Sequence, residues 1–238
     1  MPAIDFTCPP VVDPWRDYAR CRPILEKNRL TAPAHRAAME VFIETFSHIP
    51  PESRVLDVGC GGGLFLELLR NLGFEDIRGI DASDAYVARA KKKNLKVEQK
   101  RAEEINNHGD FDIIVCTDLM EHLTMSPVRS FYRALTKQGL FYTSVPVYDS
   151  FQDRFRRRIR GMTRMDQARE HDETHVKAYT PRSFVSEVCS NGFILLWKRL
   201  AYNPWPRLGE EALSRRLGRW VHCGRFCIAL FQKKENHV

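Results

Sequence analysis

Two polar clusters in the chain have the residue types and spacing for chemistry. The first is Val55-Leu56-Asp57-Val58-Gly59-Cys60-Gly61-Gly62-Gly63, an apolar run that opens into glycines. A bare Gly-x-Gly is, by itself, only a tight turn. At the end of a buried strand, however, glycines let the backbone approach a ligand closely and expose amides near a helix N-terminus, which suits a carboxylate or a phosphate. A dinucleotide fingerprint, Gly-x-Gly-x-x-Gly, needs a third glycine at position 64, and this chain has Leu64 there. Asp57, two residues before Gly59, would oppose a pyrophosphate but can pair with an ammonium group. These departures point to a zwitterionic cofactor without phosphate. Asp81, in Gly79-Ile80-Asp81-Ala82-Ser83, lies 24 residues after Asp57, where a carboxylate accepts hydrogen bonds from both ribose hydroxyls.

The second cluster is Asp118-Leu119-Met120-Glu121-His122. If the chain turns helical at Asp118, then Asp118, Glu121 and His122 stand at i, i+3, i+4 and share one face. Two oxygens and an imidazole there suit one hard divalent ion. Without a metal, the imidazole can take a hydroxyl proton. A purely structural role for the cluster is the third alternative.

A third feature is the arginine-rich run Ser150–Arg164, in which Phe151, Phe155, Ile159 and Met162 recur at i, i+4, i+8, i+11. Such a basic amphipathic helix can pack its stripe over an active site as a lid, lie on an anionic membrane, or cradle a phosphorylated substrate. Nucleic acid is the less favoured partner, because the run lacks the interleaved stacking aromatics of a single-strand binder.

These residues need a scaffold, and the hydrophobic pattern supplies one. Apolar runs at Arg54–Val58, Ile77–Asp81, Leu95–Glu98, Phe111–Cys116 and Gly139–Val145 alternate with helical patterns at Leu64–Leu72, Ser83–Lys93 and Ser126–Thr136. That order implies right-handed crossovers and a doubly wound, parallel α/β sheet. Before it, Met39, Phe42, Ile43 and Phe46 predict an amphipathic helix over His35–Phe46. After Val145 the rhythm breaks: a helix is expected at Pro181–Ser190, a strand at Phe193–Tyr202, a helical stretch near Glu210–Val221 and a last strand at Phe226–Lys233. The expected organisation is an irregular lead-in over 1–34 and one domain over 35–238, with a basic insertion at about 150–175.

At 238 residues the chain is long enough to bury a full core. Residues 1–150 carry 19 Lys and Arg against 21 Asp and Glu, whereas residues 151–238 carry 18 against 9, so the two parts are expected to meet different partners. Seven cysteines at irregular spacings, with no charged start followed by an apolar run, suggest a reducing cytosol. Cys223 and Cys227 beside His222 lack a second ligand pair at metal-site spacing and read as buried thiols. No apolar stretch approaches the roughly 20 residues of a spanning helix, so membrane contact would be peripheral.

Val55–Gly63 followed by Gly79-Ile80-Asp81 resembles the first two motifs of the Rossmann-type (class I) S-adenosylmethionine-dependent methyltransferases. The resemblance covers roughly residues 35–235. It implies a seven-stranded sheet with an antiparallel last strand and S-adenosylmethionine as methyl donor. By the same resemblance Gly59 and Gly61 contact the methionyl part, Asp57 approaches its amino group, Asp81 holds the ribose with Ala82 beside it, and Ala102-Glu103 lies near the adenine. Thr117 at the end of the fourth strand and Arg36, directed to the cofactor carboxylate, complete the implied set. Lys137-Gln138-Gly139-Leu140 departs from the Pro-Gly-Gly of many members.

The wider pattern resembles the ubiquinone-biosynthesis O-methyltransferases and also the small-RNA 2′-O-methyltransferases. In that context Asp118, Glu121 and His122, with His175 downstream, imply a Mg²⁺ or similar ion that activates a hydroxyl, with His122 and His175 as the catalytic pair. The first acid of this cluster is Asp118, where members more often have Glu. Tyr202-Asn203-Pro204 is similar to a Tyr-Asn-Pro of the ubiquinone-pathway enzymes. The function expected is methyl transfer to the hydroxyl of a small or lipid-like acceptor, by a cytoplasmic, at most membrane-peripheral enzyme. RNA 2′-O-methylation and a non-catalytic S-adenosylmethionine-binding scaffold are the alternatives left open.

Overall fold

The alternating runs fold into one seven-stranded sheet in the computed structural model, which describes residues 33–46, 49–106, 108–201 and 226–235. Helix α1 (Pro33–Phe46) precedes β1 (Val55–Val58), α2 (Leu64–Leu72), β2 (Ile77–Asp81), α3 (Asp84–Lys91) and β3 (Val97–Gln99). Then come β4 (Phe111–Thr117), α4 (Val128–Ala134) and β5 (Leu135–Pro146). Helices α5 (Phe151–Arg160), α6 (Arg164–His171) and α7 (Pro181–Cys189) follow, and β6 (Phe193–Ala201) and β7 (Phe226–Lys233) close the sheet.

The strand order is β3-β2-β1-β4-β5-β7-β6, with β7 antiparallel to both β5 and β6 and the remaining pairings parallel. The order reverses at β1, which pairs with β2 on one side and β4 on the other. Ligands of open α/β sheets lie beyond the carboxyl ends of the strands at that reversal. The sites after β1 and β4 are the two polar clusters.

Both faces of the sheet are covered. On one, α1 and α2 bury Phe42, Phe46, Phe65 and Leu69 against Tyr142 of β5. On the other, Phe131 of α4 and Phe184 of α7 pack on Phe141 and Phe231. Each such side chain contributes on the order of 1.5–3 kcal/mol by burial.

The differences from expectation are local. Helix α1 starts at Pro33, two residues early, because proline is favoured in a first helical turn. Strand β3 covers Val97–Gln99, and Leu95 packs beneath the glycine loop instead. Helix α4 stops at Ala134 and the chain passes directly into β5, which absorbs the departed Lys137-Gln138-Gly139 turn through a left-handed Gln138 (φ 59°). The basic run is two helices, each opened by a capping box: Ser150 with Asp153, and Thr163 with Asp166. Cys227 is buried in β7, and burial pushes its thiol up to about 11, in keeping with an inert core thiol. The lead-in before Pro33, Tyr202-Asn203-Pro204, the helical stretch near Glu210–Val221, and His222 with Cys223 lie outside the described residues. Among the described residues no helix is long and apolar enough to cross a membrane.

Candidate active site

The glycine loop is latched to the end of β2. The amides of Gly59 and Cys60 both donate to the Ile80 carbonyl, at 2.8 and 3.0 Å, and the Gly61 amide donates to Asp81 Oδ2 at 2.9 Å. Asp81 Oδ1 accepts from the Ser83 amide at 2.8 Å. This corrects the expectation of an exposed amide cradle, since three loop amides are already engaged within the protein. What the loop offers a ligand is room. Gly61, at φ 51°, has no heavy atom within 4 Å of the place a Cβ would occupy. Gly59, at φ 74°, would bring a Cβ to 2.8 Å from Leu119 Cδ2, so the segment after β4 lies against the loop.

Most of the other nominated donor-site residues lie at or just after the carboxyl ends of β1, β2, β3 and β4. Asp57 is buried at the end of β1, and Thr117 is buried at the end of β4, in register with Ser144. The Ala82 carbonyl accepts from Gln99 Nε2 at 3.3 Å. Ala102 is buried, and Oε2 of Glu103 is enclosed without a hydrogen bond. The open space beside Gly61 thus lies next to the Asp81 carboxylate, which its amide contacts directly. Arg36, on α1, donates through Nε to Glu40 at 2.7 Å.

The second cluster is built differently from its expected form. Asp118 adopts a left-handed conformation (φ 50°), and the helical turn begins only at Met120, as a 3-10 turn over Met120–His122. Asp118 is therefore not on the face of Glu121 and His122, and one of its oxygens accepts from Ser144 Oγ at 3.2 Å. The donor atoms that do converge belong to Glu121, His122 and His175, all within 4.8 Å of one another. Asp118 is not in that group, so three of the four nominated metal ligands are brought together.

His175 arrives through the backbone: the amides of Val176 and Lys177 both donate to the Glu121 carbonyl, at 2.9 and 3.0 Å. Glu121 is 1 % exposed, and its Oε2 has no hydrogen-bond partner. Burial, reinforced by the charge of Asp118, pushes its carboxyl well above the usual carboxylate range. Burial, with His122 nearby, holds His175 below the usual imidazole range. The two imidazole rings lie edge to face, 4.8 Å apart.

Three residues that the sequence did not nominate complete the cluster. Tyr148 places its hydroxyl 3.0 Å from His175 Nδ1. Thr174 Oγ1 lies 2.9 Å from His122 Nδ1 and donates to Asp172 Oδ1 at 2.6 Å. Asp172-Glu173-Thr174 has the Asp-x-Thr spacing of a turn closed by its own side chain, a legible signal. Tyr148 carries no such signal.

Helix α5 is inside-out. Its inward side is polar: Asp153, 2 % exposed, accepts from Ser150 Oγ and from Gln167 Nε2, and Arg157 donates to the Tyr148 carbonyl at 2.7 Å and to Gln167 Oε1 at 2.8 Å. Its outward side carries Phe151, Phe155 and Ile159, exposed by 72, 59 and 68 %. The stripe is not the packed underside of a lid. Arg158 on this helix is exposed and has no ion pair among the described residues, while Arg156 and Arg160 share Glu170. A cavity of about 120 Å³ beside this helix is lined by Val147, Tyr148, Arg156, His171 and Phe226, and by neither His122 nor His175. Another cavity, of about 310 Å³ beneath β2 and β3, includes none of the nominated residues.

The sequence model described as a methyltransferase domain matches residues 29–196. Among curated proteins, the chain is 31% identical over 144 residues to the ubiquinone biosynthesis O-methyltransferase of Bartonella tribocorum, covering 55% of this chain and 57% of that protein. It is 38% identical over 97 residues to the mitochondrial ubiquinone biosynthesis O-methyltransferase of Saccharomyces cerevisiae, covering 37% and 30%. The matches thus span about a third to just over half of these relatives. The fold is that of a methyltransferase from Archaeoglobus fulgidus, described as dependent on S-adenosylmethionine, with TM-score 0.61, 20% identity, and 89% and 99% of the two chains covered. With the domain match covering more than half of the chain and a seven-stranded sheet of this order, the chain belongs to the class I S-adenosylmethionine-dependent methyltransferases.

Proposed function

We propose that the protein transfers the methyl group of S-adenosylmethionine to a hydroxyl oxygen of a small, lipid-like acceptor. The observation that carries this reading is the convergence of Glu121, His122 and His175 beside the loop of Gly59. Bound in the gap at Gly61, the donor supplies a methyl already activated by its sulfonium, which departs as a neutral thioether. The chain's own part is to hold Asp57 and Asp81 against the donor, to align the acceptor in line and to remove one proton. The acceptor O–C bond forms as the S–C bond breaks, and the hydroxyl proton passes to an imidazole, His122 or its neighbour His175.

A buried carboxyl group with one oxygen lacking a hydrogen bond, grouped with two imidazoles, also fits a divalent cation such as Mg²⁺. Such an ion, held by Glu121, His122 and His175, would lower the pKa of the acceptor hydroxyl. His122→Ala is expected to lower kcat by roughly 10²–10⁴-fold while leaving S-adenosylhomocysteine binding intact; retained turnover on every hydroxyl acceptor would remove the reading. Chelation followed by Mg²⁺ or Mn²⁺ separates the two versions of the site, because a base alone is indifferent to both.

The partner that suits α5 is an anionic bilayer in a cytoplasmic setting. The supporting observation is the outward apolar ridge of Phe151, Phe155 and Ile159 amid arginines, which fits acyl chains under phosphate headgroups better than the backbone of RNA. Sedimentation with phosphatidylglycerol vesicles, set against filter binding to RNA over a salt series, decides between them.

A further inference from the structure

We propose that Thr174 and Asp172 are positioning residues that fix His122 as the tautomer protonated on Nδ1, leaving Nε2 as a bare lone pair. The inference rests on reading His122 as the base or ligand of the transfer. It follows from proton counting. Thr174 has one hydroxyl proton and two neighbours, Asp172 Oδ1 at 2.6 Å and His122 Nδ1 at 2.9 Å.

An ionised carboxylate has no proton to give, so an oxygen–oxygen contact of 2.6 Å requires the threonine proton to lie between the two. The Thr174 amide donates to the same carboxylate oxygen at 2.8 Å, which holds Asp172 in place. Oγ1 then has only lone pairs to offer His122, and Nδ1 must carry the hydrogen. The opposite arrangement, with Oγ1 donating to Nδ1, would set two bare oxygens 2.6 Å apart.

The consequence falls on the other nitrogen. Nε2 lies 3.9 Å from Glu121 Oε1, the carboxylate of the converging group. Protonated, it would point a hydrogen at the acceptor or at an ion, and it could neither take the acceptor proton nor ligate. Bare, it can do either. The device is the hydroxyl relay counterpart of the carbonyl or carboxylate that orients a ligating imidazole.

The test is long-range ¹H–¹⁵N correlation on the full chain with ¹⁵N-labelled histidine at about pH 8, where imidazoles are neutral. Wild type is expected to show His122, assigned by its loss in His122→Ala, with protonated Nδ1 and unprotonated Nε2. Thr174→Val keeps the side-chain shape without the hydroxyl, and Asp172→Ala frees the hydroxyl to rotate. Both should shift His122 toward the Nε2-protonated form and lower kcat roughly 10–100-fold, with KM for S-adenosylmethionine unchanged. Thr174→Ser should restore both the spectrum and kcat.

An unchanged His122 spectrum in Thr174→Val, or a Thr174→Ser protein as impaired as Thr174→Val, overturns the inference. The spectrum is read on the resting protein, so it stands or falls separately from the acceptor: if His122→Ala left transfer intact, the functional reading would fail while the tautomer remained measurable.

Discussion

At the scale of single residues, the two halves of the site use opposite resources. The donor half depends on missing side chains and the acceptor half on buried charge. Gly61→Ala places a methyl in the open gap and an alanine at φ 51°, a conformation that costs about 1–2 kcal/mol. Calorimetry with S-adenosylhomocysteine should show affinity lowered at least about tenfold, with a thermal midpoint lowered by only a few degrees. Gly63→Ala is the contrasting case. At φ 80° its Cβ would stand 2.3 Å from Leu95 Cδ1, and overpacking there adds about 1–3 kcal/mol, so stability should fall further than in Gly61→Ala. Equal losses in the two variants would mean that Gly61 also faces packed protein. In the acceptor half, burial holds the Glu121 carboxyl well above the usual carboxylate range. Between the ordinary carboxylate range and its raised folded value, the folded protein keeps a proton that the unfolded chain has released. Its contribution to stability is thus present at low pH and lost as pH rises. Glu121→Gln should therefore raise the thermal midpoint in chelator at pH 8 by roughly 2–4 °C per kcal/mol recovered, while abolishing any stabilisation by Mg²⁺. A midpoint lowered equally at pH 5 and pH 8 would contradict this account.

At the scale of elements, α5 shows how a helix can be held by its polar side. Asp153→Ala removes the capping box and the Gln167 bond together, and should cost about 1–3 kcal/mol in a thermal melt. The double change Phe155→Ser with Ile159→Ser should leave stability within about 0.5 kcal/mol, because both side chains are already exposed. The same double variant should lose sedimentation with phosphatidylglycerol vesicles, and undiminished binding would assign the ridge to some other contact. Arg158→Glu is the matching charge test, since Arg157 is spent on Tyr148 and would report folding instead. The sequence announced the stripe through the period of Phe151, Phe155 and Ile159, but period alone does not say which face is inward. That depended on Gln167, fourteen residues after Asp153. A similar limit applies after β4. Periodicity located Phe111–Cys116, one residue short of β4, and the reading that followed had Asp118 begin a helix. The left-handed turn at Asp118 is set by contacts across the sheet edge, including Ser144 of β5, which no local window contains. By contrast β1, α2 and β2 were legible because short apolar runs, glycine and a carboxylate each had one local solution.

At the scale of the molecule, the site is a junction between distant parts of the chain, and its stability should depend on pH from both sides. His175 opposes Glu121. Below about 6.5 an unfolded imidazole takes a proton that the buried one resists, so its contribution is present above that value and lost as pH falls. A plot of thermal midpoint against pH should fall on both sides of an intermediate optimum, and Glu121→Gln should flatten only the alkaline limb; a variant curve parallel to wild type would show the groups to be uncoupled from folding. The donor motifs lie within 27 residues, Val55–Asp81, and were read directly from sequence, whereas His122 and Thr174 are 52 residues apart and meet only in the fold. Strand β7 carries the same logic into biosynthesis. It sits between β5 and β6 although it is made after both. Until residues 226–233 emerge from the ribosome, β5 presents an open edge and β6 has no neighbour to pair with. The nascent chain therefore passes through a period with two unpaired edges, the form of a sheet most prone to improper pairing and most in need of a chaperone.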